Sequence, residues 1–319
     1  MQHFISVHDL EQPLAMLYQA QKFKKDPLMA RQFGQGKTLG LLFFNSSLRT
    51  RLSVQKAALN LGLSVMIINV NQDSWNLELE DGSIMNMDRA EHIKEAAAVI
   101  GSYCDFVGVR AFAKLENRAF DYQEVILQKF KQYAGVPILN LESSSLHPLQ
   151  SFADWLTLEE HRPKHRPKIV VTWAPHPKAL PQAVVNSFLE WTPLMNAEIV
   201  LTHPKGYELA PKFVQNCTIE YNQEKAFEGA DFIYAKNWSS FKHYGQVLNQ
   251  DASWRITTKK MQLTNQAKFM HCLPIRRNVI AEDAVLDSSY ALHLQQATNR
   301  CPTAQAVLFQ LLSNLKNNH

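Results

Sequence analysis

Two series of short β-rich runs, each run separated from the next by an amphipathic stretch, leave few folds open to this chain. The first series begins at Thr38 (TLGLLFF), Val65 (VMIINV), Asp105 (DFVGVR) and Val136 (VPILN). The second begins at Lys168 (KIVVTWA), Glu198 (EIVLTH), Thr218 (TIEY), Asp231 (DFIYAK) and Lys268 (KFMHCL). Strands that alternate with helices form βαβ units, and such units build parallel sheets. The expectation is an α/β chain with two parallel sheets. Between the two series lies HRPKHRPK, basic and proline-bearing, preceded by the helical pattern HPLQSFADWLTLEE, so the domains should meet near there with that helix as connector. Residues 1–150 are assigned to a first domain and 151–298 to a second. Val307, Leu308, Leu311, Leu312 and Leu315 have helical spacing in the stretch from Pro302 to Leu315. Residues 299–319 therefore read as a C-terminal helix packing back on the first domain.

Composition narrows the function classes. With 319 residues, 46% of them hydrophobic, the chain can bury the cores of two domains. Its 33 basic and 29 acidic residues are scattered, with no block of like charge, which argues against nucleic acid and leaves small anionic substrates open. Cys104, Cys217, Cys272 and Cys301 lie far apart, and MQHFISVHDLEQ lacks a secretory pattern, so a cytoplasmic protein is expected. No apolar stretch approaches the roughly 20 residues that cross a bilayer.

In open α/β sheets ligands bind beyond the carboxyl ends of the strands. The polar residues expected there are Ser46 to Arg51, Arg110, Glu142, His176, Lys236 and His271 to Arg277. In Asn45-Ser46-Ser47-Leu48-Arg49-Thr50-Arg51, helix N–H groups, hydroxyls and two guanidiniums make a phosphate site. The competing reading is an ordinary Ser or Asn N-cap with solvated arginines. Gly36-Lys37-Thr38 is no Walker loop, because Arg31 stands where its first glycine is needed and the segment precedes its strand. No G-x-G-x-x-G occurs. His147-Pro148-Leu149-Gln150 opens the connector helix, either as capping chemistry or as a histidine and glutamine that contact a carbonyl oxygen and a planar –NH₂. In His271-Cys272-Leu273-Pro274-Ile275-Arg276-Arg277, the cysteine is read as a small core residue rather than an attacking group.

S-x-R-T-R after the first strand, H-P-x-Q opening the connector and H-C-L-P after the last strand occur in this order in the ornithine and aspartate carbamoyltransferases, which this chain resembles over essentially its whole length. The resemblance implies two doubly wound α/β domains, the first for carbamoyl phosphate and the second for the amine, in a homotrimer with shared active sites and no metal or organic cofactor. It assigns Ser47, Leu48, Arg49 and Thr50 to the phosphate, and Arg110 to the phosphate and carbonyl. His147 and Gln150 go to the carbamoyl group, Cys272 and Leu273 to its –NH₂ through their backbone carbonyls, and Arg300 to carbamoyl phosphate. Arg49, Arg110, His147 and Cys272 are the expected catalytic set. Trp75 matches a loop position that reaches a neighbouring subunit's site, with an interface or core aromatic as the alternative.

The stretch Lys236-Asn237-Trp238-Ser239-Ser240 lacks the Ser-Met-Gly that grips free ornithine, and the surrounding motifs resemble the branch that uses N-acetyl- or N-succinylornithine. By that resemblance Glu142 and Lys236 contact the acylated amino acid, and His176 and Arg276 are candidates for its acyl end or carboxylate; the alternative for His176 is a turn residue between Pro175 and Pro177. Ala90 occupies the position that separates acyl groups: a glutamate there goes with acetyl and a small residue with succinyl. A glutamate would repel and obstruct a second carboxylate. The alternative is that Ala90 is only a good helix former near the start of a helix over 92–100. The reading is carbamoyl transfer to the δ-amine of N-succinylornithine in arginine biosynthesis. The acetyl acceptor and a non-catalytic anion-binding paralogue are the competing readings.

Overall fold

The computed structural model describes residues 1–70 and 72–317, with backbone alone for residues 316 and 317. It divides into two compact units, one made of residues 1–113, 119–149 and 300–319, the other of residues 114–118 and 150–299. Both are doubly wound parallel-sheet units. Among the described residues no helix is long and apolar enough to cross a membrane.

The first unit holds β1 (Thr38–Phe43), β2 (Ser64–Asn69), β3 (Leu77–Glu78), β4 (Glu91–His92), β5 (Phe106–Arg110) and β6 (Ile138–Glu142). Its main sheet has the order β2-β1-β5-β6, all parallel, and β3 and β4 form a separate parallel pair. β1, β5 and β6 read as continuous apolar runs because they are covered on both faces, as parallel strands are. The covering helices include Arg49–Asn60, Ile93–Tyr103 and Val125–Tyr133. Ile93, Ala97, Leu127 and Phe130 join Val107, Val109 and Ile138 in one core. The last two helices approach so closely that a Cβ on Gly101 would lie 1.8 Å from the carbonyl oxygen of Ala134.

The outer edge of β6 is not bare. Phe4, fully buried, bridges it in parallel: its N–H donates to Ile138 O at 2.9 Å and its carbonyl accepts from Asn140 N at 2.8 Å. The helix His293–Asn317 runs through Pro302 instead of starting there. A proline costs an interior helix one hydrogen bond, and the buried Ala304, Ala306, Val307, Leu308 and Leu311 offset it. Its Phe309 ring packs 5.5 Å from that of Phe23 and 4.6 Å from that of Phe33.

The second unit holds β7 (Lys168–Trp173), β8 (Glu198–Thr202), β9 (Thr218–Glu220), β10 (Phe232–Lys236) and β11 (Lys268–Met270), in the order β11-β10-β7-β8-β9, all parallel. Val170, Ile233 and Phe269 form its core with Ala226, Phe227, Ile256 and Ile280. In each unit one strand pair marks the point where the strand order reverses, β1/β5 in the first and β7/β10 in the second. The crevice beyond such a switch point is where α/β sheets bind ligands.

Candidate active site

At the first switch point β1 leads through residues 44–48 into the helix Arg49–Asn60. The Ser or Asn cap of the competing reading is not made. Leu48 occupies the N-cap position in the helical region (φ −92°, ψ −61°), no side chain caps the helix, and no acidic residue stands in its first turn. Asn45 Oδ1 instead accepts from Phe112 N at 2.7 Å. The positive end of the helix dipole is therefore not offset by a cap or by an acidic residue of the first turn, which favours an anion there. Ser47 and Arg49 are half-buried beside it, whereas Leu48 is exposed.

Thr50 turns inward, and two cations meet on its hydroxyl. Arg110 Nη1 donates to Thr50 Oγ1 at 3.1 Å and Arg300 Nη2 donates to the same oxygen at 2.6 Å. A β-bulge makes the arrangement possible. The β5/β6 register pairs Val109 with Asn140 but Arg110 with Glu142, skipping Leu141. Without that extra residue Arg110 would face a leucine; with it, Arg110 Nη1 lies 2.5 Å from Glu142 Oε2. His147 Nε2 is 3.4 Å from the same carboxylate oxygen and 3.4 Å from Arg300 Nη2. The Arg110 guanidinium also lies 4.2 Å from the ring centre of Phe112, and its Nε is buried without a hydrogen-bond partner. Two buried guanidiniums share the Thr50 hydroxyl and one of them is paired with Glu142, a cationic cluster suited to a small polyanion. The structure thus brings Thr50, Arg110, Glu142, His147 and Arg300 together.

Trp75 is 55% exposed, on the segment between β2 and β3, and its indole N–H donates to Glu91 Oε2 at 2.8 Å. Ala90 is exposed and precedes β4. The following helix starts at Ile93 and is capped by His92 Nδ1, which accepts from Lys94 N at 3.2 Å. Ala90 is therefore not in the helix, which removes the helix-former reading. Its neighbours are tied down: Arg89 Nη1 donates to Glu78 Oε1 at 2.7 Å, and Glu91 holds Trp75.

In the second unit Gln150 Nε2 donates to Asp154 Oδ1 at 2.7 Å. Asp154 is fully buried and also accepts from Gln296 Nε2 at 2.6 Å and from the Tyr234 hydroxyl at 2.8 Å. Burial, reinforced by Asp154, pushes the Tyr234 hydroxyl pKa well up, so it stays a donor. Gln296 Oε1 in turn accepts from His271 N at 2.9 Å, fixing the start of the His-Cys-Leu-Pro turn. Sequence reasoning missed Asp154, Tyr234 and Gln296; the one local signal was an aspartate one turn after Gln150 on the same helix.

Cys272 is buried, and Leu273 sits in the left-handed region (φ 57°), its N–H donating to His271 Nδ1 at 2.9 Å. Beyond the second switch point, Arg276 Nε donates to His176 Nε2 at 3.1 Å. Lys236 ends β10, half-buried. The stretch after it packs inward: Trp238 is fully buried with its indole N–H on Tyr207 O at 2.8 Å.

Residues 2–160 match the family model described as the aspartate/ornithine carbamoyltransferase carbamoyl-P binding domain, and residues 181–311 match the Asp/Orn binding domain. The chain belongs to the aspartate/ornithine carbamoyltransferase family. This carbamoyltransferase is 52% identical to an N-succinylornithine carbamoyltransferase of Bacteroides thetaiotaomicron, covering 99% of this chain and 100% of that one. It is 35% identical to an N-acetylornithine carbamoyltransferase of Xylella fastidiosa (98% and 99% covered) and 29% identical to an ornithine carbamoyltransferase of Acinetobacter baumannii (99% of each). Among solved structures, a glutamate-to-alanine mutant of N-acetyl-L-ornithine transcarbamylase complexed with carbamyl phosphate and N-succinyl-L-norvaline matches the carbamoyltransferase with a TM-score of 0.92 at 36% identity, over 98% of this chain and 100% of that one.

Proposed function

We propose that this carbamoyltransferase transfers the carbamoyl group of carbamoyl phosphate to the δ-amine of N2-succinyl-L-ornithine, giving N2-succinyl-L-citrulline and phosphate in arginine biosynthesis. The observation that carries the acceptor is the step in similarity: 52% identity to a succinylornithine enzyme against 35% to an acetylornithine enzyme. The exposed Ala90 supports it, leaving both the volume and the charge balance that a second carboxylate needs. So does the neighbour crystallised with a succinyl ligand once a glutamate had become alanine.

In this reading the uncapped helix start, Ser47, Leu48, Arg49 and Thr50, with Arg110 and Arg300, holds the phosphate. His147 and Arg110 polarise the carbamoyl carbonyl. Gln150 and the backbone carbonyls of Cys272 and Leu273 orient the carbamoyl –NH₂, and Glu142, His176, Lys236 and Arg276 receive the acylornithine. Residues 1–150 and 299–319 form the carbamoyl-phosphate domain and 151–298 the acylornithine domain.

The neutral δ-amine attacks the carbamoyl carbon while the C–O bond to phosphate breaks. Catalysis comes from holding two reactants in attack geometry and from cations aimed at the developing charge. The intrinsic pKa of the amine, like lysine's, is about 10.4, and the leaving phosphate takes its proton.

The enzyme works in the cytoplasm as a homotrimer in which Trp75 completes a neighbour's site; its exposure supports that role. Mixing Trp75→Ala with Arg110→Ala subunits then restores activity that neither variant has alone. The deciding experiment assays ornithine, acetylornithine and succinylornithine side by side. Preference for acetylornithine overturns the acceptor, and turnover of none of the three makes the chain a non-catalytic anion binder.

A further inference from the structure

Glu124 stands immediately before the helix Val125–Tyr133 in the left-handed region (φ 53°), and its side chain does not cap that helix. It reaches instead to the segment that joins β6 to His147. Oε1 accepts from Ser143 Oγ at 2.8 Å, Ser145 N at 2.7 Å and Ser145 Oγ at 2.5 Å, and Oε2 accepts from Ser144 N at 3.0 Å. Three consecutive serines are thus tied to one carboxylate. The loop is closed on itself by Ser143 N donating to Leu146 O at 2.9 Å, and Asn140 Nδ2 donates to Ser143 Oγ at 3.1 Å. A non-glycine residue in left-handed backbone is unfavourable, and so is a carboxylate whose pKa burial raises against the serine hydrogen bonds, as at the half-buried Glu124. Such an arrangement persists where its surroundings over-determine it, and it is found at sites that need a fixed geometry.

What this loop fixes is visible at its ends. It leaves β6 at Glu142, the partner of Arg110, and arrives at His147. His147 Nε2 meets Glu142 and Arg300 at 3.4 Å each, the long end of hydrogen-bond range, where a shift of a few tenths of an ångström decides whether contact is kept.

We infer that Glu124 is a positioning residue for carbamoyl transfer: by clamping residues 143–146 it sets His147 against the carbamoyl group. The inference rests on the carbamoyltransferase reading given above. Glu124 belongs to none of the motifs that define the site, and its effect is exerted through His147.

The test is a double-mutant cycle on the full-length protein with Glu124→Gln, His147→Ala and the double variant, read as kcat, as KM for both substrates and as the calorimetric Kd of carbamoyl phosphate. Glutamine keeps the volume but turns a donor towards the serine N–H groups. Glu124→Gln lowers kcat by about 10- to 100-fold, the scale of a small misplacement of a reacting group, while KM for the acylornithine and the melting temperature stay close to wild type. In the His147→Ala background the same change costs less than about 2-fold, and Glu124→Asp, which keeps the charge on a shorter arm, recovers part of the loss. Equal fold losses in both backgrounds overturn the inference. Should Glu124→Gln not fold, Ser145→Ala deletes one donor to the same carboxylate and carries the same cycle. A wild type that binds carbamoyl phosphate yet carbamoylates no ornithine derivative refutes the proposed function instead, and the cycle is then decided by Kd.

Discussion

Arg276 donates its Nε–H to Nε2 of His176 at 3.1 Å, and this contact decides which form of the imidazole is present. An acceptor Nε2 puts the proton on Nδ1, where Lys178 O receives it at 2.9 Å; the Lys178 N–H, 3.1 Å from the same Nδ1, then meets no lone pair, because the arginine N–H can only donate. Burial holds the pKa of His176 below the ordinary 6.5, with Arg276, Lys236 and Lys178 adding to it against the opposing hydrogen bond to Lys178. The folded state thus favours the neutral ring. Its contribution to stability is present above pH 6.5 and is lost as pH falls through the depressed folded value. NMR should find the Nδ1–H tautomer, and the acylornithine KM should rise below that pH in wild type but not in His176→Ala. An Nε2–H tautomer would refute the arrangement.

Thr50 is the hinge of the anion cluster, because its hydroxyl accepts from both Arg110 and Arg300. Thr50→Val is nearly isosteric and leaves both guanidiniums facing a methyl group. Hydrogen bonds to charged groups contribute about 1.5–3 kcal/mol, so the Kd of carbamoyl phosphate should rise about 10- to 100-fold. Thr50→Ser should stay near wild type. An unchanged calorimetric Kd for the valine variant would remove Thr50 from the site.

Glu142 neutralises only part of its surroundings. Removing the charge with Glu142→Gln leaves Arg110 buried without its carboxylate, a loss that typically costs about 3–5 kcal/mol. The ligand-free variant should melt well below wild type. Inorganic phosphate, supplying the missing negative charge, should raise its melting temperature by more than it raises that of wild type. Equal phosphate shifts in the two proteins would show that Glu142 and the anion do not share the same cations.

Ala90→Glu should move the ratio of kcat/KM for succinylornithine over acetylornithine towards acetyl, because the added carboxylate repels the succinyl end. The neighbouring ties of Arg89 to Glu78 and of Trp75 to Glu91 are made by other side chains and should survive the change. A ratio unchanged by the substitution would place acyl selection elsewhere.

The inner strands were legible because a parallel strand covered on both faces is apolar throughout, and runs such as TLGLLFF stand out at once, whereas the half-exposed β2 and β9 were read from their place in the alternation with helices. The two-residue strands at Leu77 and Glu91 are too short to carry any periodicity and were not. The hydroxyls and arginines after β1 stood out because they are adjacent in the chain, but their local geometry did not: the small polar residues left an ordinary cap open, and Leu48 at the N-cap position makes none. Nor could local pattern reveal the bulge that swaps Leu141 for Glu142 opposite Arg110, since it is a property of the pairing between two strands. The meeting of Thr50 with Arg300, 250 positions apart, was expected only through family resemblance. Asp154 went unnoticed because one aspartate on a buried helix looks like a boundary residue until its three donors are seen.

The bridge from Phe4 to β6 bears on the solubility of the protein. An uncovered parallel edge offers a row of unpaired peptide groups to any other chain and is a common seed of aggregation. Here the Phe4 N–H and C=O take up Ile138 O and Asn140 N, and the Phe4 side chain is fully buried. A truncation that removes this short segment would leave the first sheet with a sticky border, and loss of monodispersity during purification would precede any loss of the site's own chemistry.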